Sequence, residues 1–223
     1  FYLPGTISMV PGFFISMNQS ARLSTIDVNK AHTLLKDVIL TTPLQFHRKL
    51  SEKFQAEIYL KREDLQVVRS YKIRGAYNLI HSLTSDHRQR GVVCASAGNH
   101  AQGVAWSCKT MNIRGVIYMP AITPKQKINQ VKMFGGDKIE IVLIGDTFDD
   151  CQQHALTYAR EHNLTFIPPF DHERIIEGQV FVPPVPFRGH LVFLRGSTQP
   201  AGQHRTCVLG IASFDEAVAE SEL

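Results

Sequence analysis

Short blocks of apolar residues punctuate the middle of the chain, and the stretches between them carry apolar positions at helical spacing. Gly91–Ala95 (GVVCA), Gly115–Met119 (GVIYM), Lys138–Ile144 (KIEIVLI) and Thr165–Ile167 are the blocks. Each is too short for a helix and lacks strict alternation, so each reads as a strand covered on both faces. Helices are predicted before and between them, over Tyr71–Leu83, His100–Met111, Pro124–Phe134 and Thr147–Glu161. The punctuation agrees: Thr123 stands as an N-cap before Pro124 at the first helical position, Gly135-Gly136 closes that helix, and Asp146 is placed to cap the next. Helices alternating with such strands predict an α/β fold, a parallel sheet with helices on both faces, and ligands at the carboxyl ends of the strands.

The flanks read differently. Residues 25–38 predict a first helix, capped by Thr25 or Asp27, with Val28, Ala31, Leu34, Leu35 and Val38 on its apolar face. A second helical stretch is expected over 46–54 and a short strand over Glu57–Lys61. Beyond Gln179 the rhythm stops. The apolar segments VFVPPVPF and LVFLRG have no evident partner elements, and residues 180–223 are expected to be poorly ordered. The opening FYLPGTISMVPGFFISM has no basic start and is broken by Pro4, Gly5, Pro11 and Gly12, so it makes a poor signal peptide. Residues 1–24 are expected to be disordered or extraneous, with Met17 as the candidate start.

Composition narrows the class. Apolar residues are 43% and charged residues 20% of 223, which is enough apolar material for a core. The net charge of +4 is scattered, with no run of five or more Lys/Arg, which argues against nucleic acid as a partner. No stretch of about 18 apolar residues suggests a membrane span. Cys94, Cys108, Cys151 and Cys207 form no CxxC pair and no zinc spacing, so buried, reduced thiols in a cytoplasmic protein are expected, without a metal.

Two constellations carry chemistry. Lys61-Arg62-Glu63-Asp64-Leu65 precedes Ser70-Tyr71-Lys72-Ile73-Arg74-Gly75-Ala76, which puts Lys72 in the first turn of a helix. The positive end of the helix dipole disfavours an ammonium there, and a free amine is what carbonyl chemistry needs. Ser96-Ala97-Gly98-Asn99-His100-Ala101-Gln102-Gly103 lies where a strand hands over to a helix. Its small residues let backbone approach a ligand, and the helix N-terminus attracts a carboxylate. Taken alone, each reads first as an ordinary solvated lysine and an ordinary capped turn.

Together, KREDL…SYKIRGA and SAGNHAQG resemble the fold type II pyridoxal-phosphate (PLP) enzymes, within them the threonine/serine dehydratase group. The resemblance continues through IYMPAITPKQKINQVKMFGG, GDTFDD and FIPPFD…IIEGQ, covering about residues 25–179. It implies that PLP is the cofactor and that Lys72 holds it as a Schiff base. Asn99 then bonds the cofactor's phenolic oxygen, and Tyr71 lies beside its ring where the group more often has Phe. Ser96, Ala97, Gly98, Asn99 and His100 are implied to form the loop that binds the substrate carboxylate. Arg62 and Glu63 read as structural ion-pair residues. Lys72, once freed, is implied to act as base at the substrate Cα while the cofactor ring serves as electron sink. The implied substrate is threonine, or serine, with 2-oxobutanoate and ammonia as products from threonine. The implied architecture is a small α/β domain over 66–168, with 25–65 and 169–179 belonging to a larger domain and the full-length protein a homo-oligomer. Serine dehydration or racemisation on the same fold is the alternative, and a non-catalytic fragment or frameshifted product a third reading.

One family element is not found. A glycine-rich run clamps the cofactor phosphate in the group, whereas this chain never has more than two consecutive glycines, Gly135-Gly136. The break at Gln179-Val180 therefore reads as a frameshift or mispredicted segment. Losing three or four charged hydrogen bonds costs on the order of 5 kcal/mol, roughly several thousand-fold in affinity. The 223-residue chain is thus expected to bind PLP weakly and to turn threonine over far more slowly than about one per second. Cofactor titration with a 2-oxobutanoate assay checks this, and micromolar binding with fast turnover would contradict it.

Overall fold

The computed structural model describes residues 27–54 and 58–180, together with the backbone of the pairs 192–193 and 209–210. The expected disorder of residues 1–24, the Thr25 cap and most of the 180–223 segment lie outside the described residues.

Helix α1 (Val28–Leu35) is capped by Asp27, whose side chain accepts from the Lys30 amide, and it buries Ala31 and Leu35. Strand β1 (Leu44–Phe46), helix α2 (Arg48–Phe54) and strand β2 (Ile58–Lys61) follow. β1 pairs antiparallel with β2 from Leu44–Lys61 to Phe46–Tyr59, so the start of the expected 46–54 helix is extended instead. A single helical turn, Glu63–Leu65, leads to α3 (Lys72–Ser82) and then α4 (Ser85–Arg90).

The predicted alternation then appears as β3 (Val92–Ala95), α5 (Asn99–Met111), β4 (Gly115–Met119), α6 (Lys125–Gly135), β5 (Ile139–Leu143), α7 (Phe148–Glu161), β6 (Thr165–Phe166) and α8 (Glu173–Gln179). These strands form a parallel sheet in the order β5-β4-β3-β6. Alternate residues of β3 and β4 feed two cores. Val92, Cys94, Ile117 and Met119 pack with α3, α5, α6 and Ile175 of α8, while Val93, Ala95, Val116 and Tyr118 pack with Cys151, Ala155 and Ala159 of α7. The sheet is therefore covered on both faces, as the unalternating apolar strands require.

Two expected caps are corrected. Thr123 does not cap α6: Pro124 is the capping residue, and the buried Thr123 hydroxyl has no hydrogen-bond partner. Thr147, not Asp146, caps α7, accepting from the Asp150 amide, because its extended backbone aims the hydroxyl along the helix axis. Gly136 closes α6 at φ 58° as expected. The segment LVFLRG also has a partner: β7 (Val192–Phe193) pairs with β8 (Leu209–Gly210), and β8 pairs with β2, whose free edge offers unpaired backbone groups.

Helices α3 and α8 cross through two glycines. A Cβ at Gly75 would lie 2.8 Å from the Ile175 carbonyl, and one at Gly178 would lie 2.6 Å from the Arg74 carbonyl. The crossing is locked by buried Glu177, which accepts from Asn78 Nδ2, from the Asp27 amide and from Arg174. Replacing Gly178 by alanine forces the helices apart and is expected to cost about 1–3 kcal/mol. Chemical denaturation of the Gly178→Ala chain measures this, and unchanged stability would mean the crossing tolerates separation.

Candidate active site

The strand order reverses at β3: the chain runs outward through β4 and β5, then returns to place β6 on the other side of β3. In open α/β sheets the crevice at the carboxyl ends of such strands is where ligands bind. Two loops meet there, residues 96–98 leaving β3 and residues 167–169 leaving β6.

Lys72 reaches this point from α3. Arg69 takes a left-handed backbone (φ 55°), Tyr71 is the helix N-cap, and Lys72 is the first helical residue. Its Nζ donates to the Pro169 carbonyl at 2.5 Å and lies 5.3 Å from the centre of the Tyr71 ring. Such a cation over an aromatic face is attracted to its electrons.

The loop after β3 is anchored by the Ser96 amide, which donates to the Tyr118 carbonyl. The Ser96 hydroxyl accepts from the Gly98 amide at 3.2 Å. Ala97 and Gly98 are half-buried, and a Cβ added at Gly98 would meet nothing within 4 Å, so space is open in front of α5. Asn99 is exposed as the first residue of α5, whose first-turn amides have no partner within the helix. His100 turns the other way. It is 3% exposed, and its Nε2 sits 2.9 Å from the Ile167 carbonyl. A carbonyl only accepts, so Nε2 carries the proton and Nδ1 is a bare acceptor, buried without a hydrogen-bond partner. Burial, outweighing the Ile167 carbonyl and reinforced by the Lys72 charge, lowers the imidazole to about 4.

Helices α3 and α5 are in intimate contact. A Cβ at Gly103 would come within 3.1 Å of the Lys72 carbonyl group and the Ile73 amide nitrogen. Lys72 and the 96–100 loop are thus brought to one side of the sheet and to one strand-end crevice.

Behind Lys72 lies a buried charge cluster. Arg74 grips Glu63 with two hydrogen bonds, at 2.9 and 2.7 Å, and Thr42 also donates to Glu63. Lys61 donates to the Thr42 carbonyl and stands 3.8 Å from Glu63. Burial pushes the Glu63 carboxyl up, but the hydrogen bonds and charges of Arg74, with Thr42 and Lys61, outweigh it and hold the group below its usual range. Burial, partly offset by Glu63, brings Lys61 down to about 8. Arg62 pairs with Asp64 at 2.7 Å and reaches Gln45, so Arg62 and Glu63 are ion-pair residues. Sequence reasoning missed the partners that are backbone, the carbonyls of Ile167 and Pro169. Their one signal was the FIPPF run, whose prolines leave carbonyls as the available handles.

Residues 35–182 match the family described as "Pyridoxal-phosphate dependent enzyme". The chain belongs to that family. Its relatives include the "L-threonine dehydratase biosynthetic IlvA" of Staphylococcus epidermidis, 53% identical over 163 residues, which is 73% of this chain and 39% of the relative. The Staphylococcus aureus protein of the same name is 52% identical over the same share. Similar solved structures include processed threonine deaminase isoform 2 from Solanum lycopersicum, at 40% identity and TM-score 0.64, covering 80% of this chain and 50% of that one. Maize serine racemase follows at 26% identity and TM-score 0.63, with 68% and 45% covered. The chain thus spans about two fifths of the length of the curated relatives it matches. The family is PLP-dependent, and the residues present fit such a group in part: an amine at Lys72, open space at Gly98 and a helix N-terminus at the same crevice. Among the described residues no cluster suits a metal ion, and no helix is long and apolar enough to cross a membrane.

The buried imidazole sets a pH window. The unfolded chain protonates His100 below about 6.5, the folded chain only below about 4. Between these values the unfolded state binds more protons, so stability is full above 6.5 and falls as pH drops towards 4. The loss is expected to reach on the order of 3 kcal/mol. Denaturant midpoints from pH 7 to pH 4 measure it, and His100→Gln should flatten that part of the profile.

Proposed function

We propose that the chain carries the lysine-bearing part of a PLP-dependent threonine ammonia-lyase, which converts L-threonine to 2-oxobutanoate and ammonia. The observation that carries the reading is a lysine amine held at a strand-end crevice beside an open, small-residue loop, in a chain 53% identical to a biosynthetic threonine dehydratase.

When bound, PLP supplies the electron sink for the pair released at the substrate Cα. Lys72 Nζ provides the attachment point and, once displaced, takes the Cα proton. Tyr71 presents an aromatic face next to that amine. The first-turn amides at Asn99 and His100, with the Ser96 hydroxyl and the bare backbone of Ala97 and Gly98, receive the substrate carboxylate. The dipole of α5 favours that anion. In this reading the Asn99 side-chain amide holds the cofactor's phenolic oxygen. The Pro169 carbonyl keeps the Lys72 amine in place until it is needed.

In this reading residues 66–168 act as one domain against a larger one formed from 25–65, 169–179 and further chain, and the complete enzyme is a homo-oligomer. Cys94, Cys108 and Cys151 are free and buried, which suits a reducing cytoplasm. The likeness to maize serine racemase supports a second reading, serine dehydration or racemisation at the same residues.

Incubation with PLP, borohydride reduction and peptide mapping should place the pyridoxyl label on Lys72, with Lys72→Ala unlabelled. Label on Lys61 instead would overturn the assignment. In the complete enzyme, 2-oxobutanoate from threonine supports the first reading, while pyruvate or D-serine from serine alone supports the second.

A further inference from the structure

Segment 167–169 crosses the end of the sheet between β6 and α8, and it is held in an unusual way. The Ile167 amide completes the ladder by donating to Val93. Pro168 and Pro169 have no amide hydrogen, so the strap offers nothing but carbonyls beyond that point. Two side chains take them: His100 donates to Ile167 and Lys72 donates to Pro169. The two bonds lie two residues apart on one strap, and they come from the first turns of two different helices.

His100 is a costly way to make one hydrogen bond. Its Nδ1 is a buried acceptor with nothing to accept from, and its ring cannot be charged without losing burial energy. An apolar side chain would fill the same place without that penalty, but it could not hold the Ile167 carbonyl. The position of the strap is what the imidazole secures, and the strap sets where the Pro169 carbonyl stands relative to Lys72.

We propose that His100 is a positioning residue for Lys72: by clamping Ile167 it fixes the Pro168–Pro169 strap, and with it the carbonyl that holds the Lys72 amine. This rests on the reading of Lys72 as the cofactor lysine for its functional meaning, but the clamp itself is a property of the chain without cofactor. The contact with the Pro169 carbonyl holds the amine against the strap, so the clamp keeps Lys72 parked and slow to react until something displaces the strap contact.

The test uses the full 223-residue chain without cofactor. Limiting acetic anhydride acylates lysines, and mass spectrometry compares Lys72 with exposed Lys36 in the same sample. In His100→Asn the shorter amide stops short of Ile167, and Lys72 acylation is expected to rise on the order of fivefold relative to Lys36. In His100→Gln the amide nitrogen takes the place of Nε2, and the slow wild-type ratio is expected to return. Should His100→Asn fail to fold by circular dichroism, Pro168→Gly loosens the strap with His100 intact and is expected to give the same rise. An unchanged ratio in the folded Asn or Gly variant overturns the proposal, as does an equal rise in Asn and Gln. Pyridoxyl labelling of wild type separates the two claims: label away from Lys72 removes the cofactor reading without touching the acylation result.

Discussion

The backbone at the start of α3 lies against α5 with no room for a side chain between them. Gly103 is where this happens: a Cβ there would press on the Lys72 carbonyl and the Ile73 amide at 3.1 Å, both of them backbone that cannot swing aside. Everything at the crevice follows from that approach. It brings the amine of one helix to the open N-terminus of the next, so that an amine and a set of anion-seeking amides share one opening. A second close approach, Gly75 against Gly178, fixes α3 from the other side. The lysine helix is thus pinned between α5 and α8, and the small displacements that spoil reactive geometry are resisted by backbone rather than by flexible side chains.

The charge cluster behind Lys72 works to the same end. Taking Glu63, Arg74 and Lys61 out of water is expensive, and such groups are weak evidence of net stability. Their geometry is informative instead. Arg74 is two residues after Lys72 on α3, and its two bonds to Glu63 tie that helix to the segment leaving β2, while Thr42 and Lys61 bring in the chain before β1. An apolar replacement could match the burial but would not set a rotational angle for α3. That angle decides whether Lys72 points into the crevice.

How much of this was legible in the chain depended on where each partner resides. The parallel sheet was legible because four unalternating apolar blocks leave no other covered arrangement. Local residues put Lys72 and the 96–100 loop at element boundaries, but only the joint resemblance of the two runs to a family marked them as a site. Thr123 misled because proline at its side resembles a cap, yet Pro124 itself takes the capping position and leaves the Thr123 hydroxyl buried. Phe46, the last residue of β1, was read as the start of a helix because so short a strand carries no period, and only pairing with β2 decides its state. α4 and α8 are short and polar, and α8 is held by Gly75 and Glu177 contacts across about a hundred residues of chain, which no local window contains.

The strap shows why the remainder stayed hidden. Backbone carbonyls carry no residue identity, so the acceptors for Lys72 and His100 cannot be read from composition or spacing. What the chain does state is a negative: two successive prolines remove two amide donors just after β6. A segment without donors can neither extend a sheet nor cap a helix through its own N–H groups, and so must be held from outside by donors on its neighbours. Donors in the first turns of neighbouring helices can serve, and the folded chain uses His100 of α5 and Lys72 of α3. His100 therefore spends an unsatisfied buried nitrogen on a contact that orders backbone, whereas Lys72 uses the neighbouring carbonyl as a resting place that it can leave. The difference lies in burial: the enclosed imidazole cannot exchange its partner for water, while the half-exposed amine can.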